Sequence, residues 1–118
     1  MSPAPKDVSL PTDSSLIYLT TVGRRTGLPR TVELWFAYQD GKIYLLGHPN
    51  SDWVRNVAED SRVTVEVDGT KLKGTARVAD EKREFVYELF RKKYGASEVD
   101  YWYGGPRSHR RTIEVVLR

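Results

Sequence analysis

The sequence predicts a mainly β fold, a small closed or split barrel of six mostly antiparallel strands with two helices on its outside. Three observations lead there. Short segments alternate apolar and polar residues with period two, as strands with one buried face do. Asp-Gly pairs at 40–41 and 68–69 mark tight hairpins that join sequence neighbours. Only two segments have helical spacing, too few to supply the crossovers of a doubly wound parallel sheet, and closing the sheet removes its exposed edges.

Taken in order, residues 1–15 carry Pro3, Pro5 and Pro11 among few apolar side chains and read as a mobile arm. The domain is expected over 16–118, a length sufficient for one core. Leu16-Ile17-Tyr18-Leu19 opens the first strand as a continuous apolar run, expected to be covered on both faces. A second strand over 30–38 puts Val32, Leu34, Phe36 and Tyr38 on one face and Thr31, Glu33, Trp35 and Ala37 on the other. After Asp40-Gly41 the return strand runs over 42–47.

Asn50 or Ser51 caps a short helix in which Trp53 meets Val57 at i,i+4 spacing. Val63, Val65 and Val67 point inward from the fourth strand. Leu72, Gly74, Ala76 and Val78 do so from the fifth. Asp80-Glu81 opens a longer helix with a Phe85, Val86, Leu89, Phe90 and Tyr94 stripe, closed by Arg91-Lys92-Lys93 and stopped at Gly95. Residues 96–109 read as an aromatic, glycine-rich loop, and 111–117 as the sixth strand. The order is β-β-β-α-β-β-α-β.

Composition narrows the function. A formal charge of +3 is too modest for nucleic-acid binding through bulk charge, so local asymmetry matters more. The chain has no cysteine, hence no disulfide framework, thiol nucleophile or thiolate metal site, which fits the cytoplasm. His48 and His109 lack ligand-spaced companions, so no metal is expected. No nucleophile-elbow pattern occurs, and no catalytic side chain is assigned. No apolar run reaches the roughly 20 residues that span a bilayer.

The stretch Thr20-Thr21-Val22-Gly23-Arg24-Arg25-Thr26-Gly27-Leu28-Pro29-Arg30 concentrates positive charge in a turn without an acid. Glycines allow peptide N–H groups to face one concavity, and guanidinium forks bind phosphate or carboxylate bidentately. It reads as a seat for an anion, although a solvated arginine hairpin has the same composition. It is not a nucleotide-triphosphate loop, because it is too short, lacks the lysine and leads into a strand. Trp35, Trp53 and the run Tyr101-Trp102-Tyr103 add flat apolar surface. A ligand with a planar head and an anionic tail satisfies both features. Nucleic acid is the rival, through stacking and phosphate contacts.

Thr20 to Val32 resembles the opening hairpin of the deazaflavin-dependent nitroreductases and quinone reductases, a Thr-Thr-x-Gly-Arg-(Lys/Arg)-(Ser/Thr)-Gly-x-Pro-Arg stretch. Trp53-Val54-Arg55-Asn56-Val57, Val63-Thr64-Val65 and Arg111-Thr112-Ile113 resemble the family's short helix, the strand after it and the entry to its last strand. The resemblance implies a flavin-binding (FMN-binding-like) split barrel and an oxidoreductase using reduced coenzyme F420, an 8-hydroxy-5-deazaflavin, as hydride donor to a small acceptor such as a quinone or nitro compound. It implies cofactor contacts from Gly23, Arg24, Arg25, Thr26, Gly27, Arg30, Trp53 and Asn56, and an acceptor pocket bordered by Tyr101 and Tyr103. The chain departs from the family pattern at Gly47-His48-Pro49-Asn50, where a lysine and glycine-rich segment is usual. An FMN-binding, pyridoxamine-oxidase-like protein ranks second, and a non-enzymatic binder of an anionic aromatic ligand or nucleic acid third. A barrel this small also suits a homodimer in which a partner completes the pocket.

Overall fold

A computed structural model of the chain describes residues 10, 11, 13–104 and 109–118. Its strands are β1 (Ile17–Val22), β2 (Pro29–Leu34), β3 (Ala37–Gln39), β4 (Lys42–Gly47), β5 (Arg62–Val67), β6 (Thr70–Val78) and β7 (Arg111–Leu117). Helix α1 (Asp52–Glu59) follows β4, and a 3-10 turn (Asp80–Lys82) leads into α2 (Arg83–Tyr94) and α3 (Ala96–Tyr103). One antiparallel sheet has the order β2-β1-β5-β6-β7-β4-β3. Its two edge strands, β2 and β3, are joined directly through Trp35 and Phe36, so the chain itself curls the sheet into a split barrel.

That junction corrects the strand expected over 30–38. The run is two strands, which makes seven rather than six, because its first half pairs with β1 and its second with β4. The expected faces hold across the break: Val32, Leu34, Phe36 and Tyr38 pack on the inner core, while Trp35 and Ala37 pack under the helices. Backbone groups that lose their ladder at the break are met by side chains of α2. Phe36 N–H donates to Tyr94 Oη at 3.0 Å, and Lys93 Nζ donates to the Phe36 carbonyl at 2.9 Å while lying 3.5 Å from the Phe36 ring centroid. Burial lowers the Lys93 ammonium to about 8, with Asp13 opposing the shift.

Inside the barrel, Ile17, Leu19, Val63, Val65, Val67, Ala76, Ile113 and Val115 form the core, with Trp53, Val54 and Val57 of α1 joining them. A second cluster lies outside the sheet, where Tyr44 and Leu46 meet Val86, Tyr87, Phe90 and Val99. Both Asp-Gly hairpins are observed with left-handed pairs, Asp40 and Gly41 at φ 53° and 80°, Asp68 and Gly69 at 47° and 86°. β1 is covered on one face only, contrary to expectation, since Tyr18 is 45% exposed. Its tyrosine hydroxyl reaches Glu33 instead of a covering layer.

Residues 96–103 are a helix, not a loop. Val99 and Tyr103, four apart, turn one side of α3 toward α2, and Gly104 ends the helix in a left-handed conformation. Of the arm expected over 1–15, residues 1–9 and 12 lie outside the described residues; Leu10 is buried on the barrel core. Among the described residues no helix is long and apolar enough to cross a membrane.

A buried carboxylate locks β7 to its neighbours. Glu114, 3% exposed, accepts from Lys82 Nζ at 2.6 Å, Arg77 Nε at 2.9 Å and Tyr44 Oη at 3.2 Å. Burial disfavours its charge, but the Lys82 and Arg77 bonds win and hold the carboxyl down to about 2.

Candidate functional site

The β1–β2 hairpin is tight and internally bonded. Gly23 N–H donates to the Leu28 carbonyl at 2.8 Å, Gly27 N–H to the Gly23 carbonyl at 2.7 Å, and Leu28 N–H to Thr26 Oγ1 at 3.1 Å. A Cβ on Gly23 would stand 2.9 Å from the Leu28 carbonyl oxygen and 3.0 Å from Thr26 Oγ1, so only glycine fits there. This corrects one expectation: the N–H groups of Gly23 and Gly27 are spent closing the turn instead of facing an anion.

The three arginines of the hairpin are not equivalent. Arg24 is clamped to α1, its backbone N–H and Nη1 both donating to Asn56 Oδ1, at 3.1 and 2.9 Å, and its Nη2 lying 3.3 Å from Asp52 Oδ1. Its side chain is 17% exposed. Asn56 is buried and donates through Nδ2 to Thr21 Oγ1 at 3.1 Å, so one amide ties β1, the turn and the helix together. By contrast, Arg25 and Arg30 are exposed, and their guanidiniums have neither an ion pair nor a hydrogen bond among the described residues.

Between the hairpin and α1 lies a cleft of about 590 Å³, lined by Gly23, Arg24, Arg25, Thr26, Arg30, Val32, Asp52, Trp53 and Asn56 among others. Seven of the eight residues expected to hold a cofactor therefore converge; Gly27 lines a neighbouring groove instead. Trp53, largely buried, rests its ring on Gly47, where any Cβ would collide with it. The one acid in the cleft, Asp52, is taken up by Arg24. Two unpaired guanidiniums beside the apolar surface of Val32 and Trp53 fit a phosphate-bearing or carboxylate-bearing cofactor with a flat ring.

Tyr101 and Tyr103 lie elsewhere. With His48, Pro49, Trp102 and Arg110 they line a separate depression of about 390 Å³, and the two hollows flank the chain between His48 and Trp53. Tyr101 is 78% exposed, whereas Tyr103 packs edge-on against Trp35 and Phe90. Burial pushes the Tyr103 phenol up to about 12, Tyr94 adding to the shift and Arg110 opposing it, so it keeps its proton at neutral pH.

Sequence reasoning missed Asp52 and Thr21. Thr21 had a signal, since it shares the inward parity of Ile17 and Leu19 and so must satisfy a buried hydroxyl. Among the described residues no group of three His, Cys, Asp or Glu side chains is placed to hold a metal ion.

Similarity to known proteins agrees with this picture. An F420-H2 dependent reductase (FDR-A) superposes with TM-score 0.69 at 22% identity, over 88% of this chain and 94% of its own. The heme storage protein HutZ of Vibrio cholerae superposes with TM-score 0.73 at 13% identity, over 89% of this chain and 82% of its own, and shares the fold. A chain described as a domain-swapped dimer is 25% identical, with TM-score 0.68 over 86% and 79%. No curated protein matches the chain by sequence. The family model described as F420H(2)-dependent quinone reductase matches residues 7–116, nearly the whole chain. The protein thus belongs to the F420H(2)-dependent quinone reductase family, and is an oxidoreductase that works with coenzyme F420.

Proposed function

We propose that the cleft between the β1–β2 hairpin and α1 is the coenzyme site, with Arg25 and Arg30 holding its phosphate or carboxylate groups. The observation that carries this reading is the division of labour among the arginines, one clamped and two left unpaired beside an apolar wall. Thr26 adds a hydroxyl, while Trp53 and Val32 border the ring. Arg24 and Asn56 act by setting the hairpin against the helix. When bound, the reduced deazaflavin supplies a hydride, so this chain needs to bind, orient and exclude water rather than to offer a nucleophile.

The acceptor in this proposal is a small quinone or nitro compound held against the deazaflavin ring, as hydride transfer requires. The ring therefore has to reach from the cleft to the edge of the depression bordered by Tyr101 and Tyr103, where Tyr103 Oη carries a proton at neutral pH. A cytoplasmic location is part of the reading, in keeping with a chain that has no cysteine.

The test is parallel titration of the purified protein with oxidised F420, FMN and FAD, followed by fluorescence or calorimetry. Selective deazaflavin binding that weakens as salt rises is expected, because the contacts are ionic and exposed. Preference for FMN, or binding to none of the three, would overturn the assignment of the cleft.

A further inference from the structure

The outer face of the β2-β1-β5-β6 half of the sheet carries a pattern that the coenzyme site does not use. Register aligns its side chains in rows that cross all four strands. One row is Glu33–Tyr18–Glu66–Lys71 and the next is Thr31–Thr20–Thr64–Lys73. Every member is exposed or half-exposed. The three threonines, with Tyr18, Glu66 and Lys71, enclose a shallow depression of about 310 Å³, and Thr20 and Thr31 bond to each other at 2.8 Å.

Charge is unevenly placed across these rows. Glu33 stands alone on β2, while Glu66 on β5 lies next to Lys71 and Lys73 on β6, and in the following row of the same face Arg62 is answered by Asp60. An acid on β2 and a base in the same row on β6 come together under a two-fold rotation, the geometry of an isologous dimer. With the axis parallel to the strands, β2 of one copy lies over β6 of the other. Glu33 then meets Lys71, Thr31 meets Lys73 and Tyr18 meets Glu66, each twice. An axis across the strands, between the rows, would instead set Lys71 against Lys73 and repel.

We propose that this face is where two copies of the chain associate, stacked about a two-fold axis parallel to the strands, with Glu33 of one copy paired to Lys71 of the other. Among the described residues, the side-chain contacts these two make within one copy are weak. Glu33 accepts from the exposed Tyr18 hydroxyl at 3.1 Å, and Lys71 lies 3.9 Å from Glu66. Both are free to turn toward a partner. The face is polar, so the dimer is salt-sensitive and reversible.

Charge reversal tests the pairing. The mass of the full chain is measured by sedimentation or light scattering across a concentration series, for the wild type, Glu33→Lys, Lys71→Glu and the double reversal. The wild type is expected to dimerise, each single reversal to weaken association by about tenfold or more, and the double reversal to restore it. A monomeric wild type overturns the proposal, as does a dimer indifferent to the single reversals or a double reversal that fails to recover. Both residues are exposed, and unchanged thermal melts of the single variants confirm that they fold. Neither residue lines the coenzyme cleft, so coenzyme titration of the same variants is expected to be unchanged and separates this proposal from that reading.

Discussion

Glu114 and Arg30 are both charged, and the molecule treats them in opposite ways. Around Glu114 every charge is answered: Lys82, Arg77 and Tyr44 converge on a carboxylate that solvent does not reach, and Arg77 is shared onward with Glu81 at 2.8 Å. In the hairpin cleft, two of three arginines are unanswered. The first arrangement fixes where β4, β6 and β7 meet. The second adds little to the fold, since exposed unpaired charges contribute almost nothing to stability, and so is available for a ligand. Arg24 stands between them, in the same hairpin as the free arginines yet spent like the closed network.

The contrast can be broken from the closed side first. Replacing Glu114 with Gln is expected to cost about 2–3 kcal/mol, because Lys82 and Arg77 lose their shared acceptor beside a buried strand. A chemical denaturation curve measures it. The same network sets the acid limb of stability. The folded Glu114 carboxyl, at about 2, lies below its unfolded value, so its contribution is complete above the unfolded carboxylate range. It is lost as pH falls from roughly 4.3 toward 2. In the Gln variant that part of the acid dependence should vanish.

Asn56→Ala comes next, at about 2 kcal/mol, since it strips a partner from Thr21 and from two donors of Arg24 at once. Here the coenzyme affinity should fall along with the melting temperature, because the hairpin loses its seat. Arg24→Ala should lower stability by roughly 1 kcal/mol, its clamp being partly exposed at Asp52. Loss of affinity with an unchanged melt would move Arg24 into the group of free arginines.

Much of the fold was legible in the sequence because alternation survives every local accident. Leu34, Phe36 and Tyr38 keep their face through the break at residues 35–36, and for that reason the break itself was invisible: side-chain parity does not record which strand supplies the hydrogen bonds. Helix α3 was hidden differently. Gly95 read as the stop of α2 and residues 96–109, with the Tyr101-Trp102-Tyr103 run, as a loop, although Val99 and Tyr103 had helical spacing. In the site, charge density identified the hairpin correctly as the cationic element. What composition could not reveal was the sorting of its arginines, because that depends on Asn56 and Asp52, some thirty residues away, which only the packing of α1 brings alongside.

Melting temperature and coenzyme titration of the double variant Arg25→Ala/Arg30→Ala together separate a ligand-holding role for these arginines from a structural one. Stability is expected to stay within about 0.5 kcal/mol of the wild type, while affinity for oxidised F420 falls by about a hundredfold through the loss of two charge-assisted contacts. An affinity that survives the double substitution, or a melt that falls as far as that of Asn56→Ala, would contradict the assignment of these arginines to the ligand.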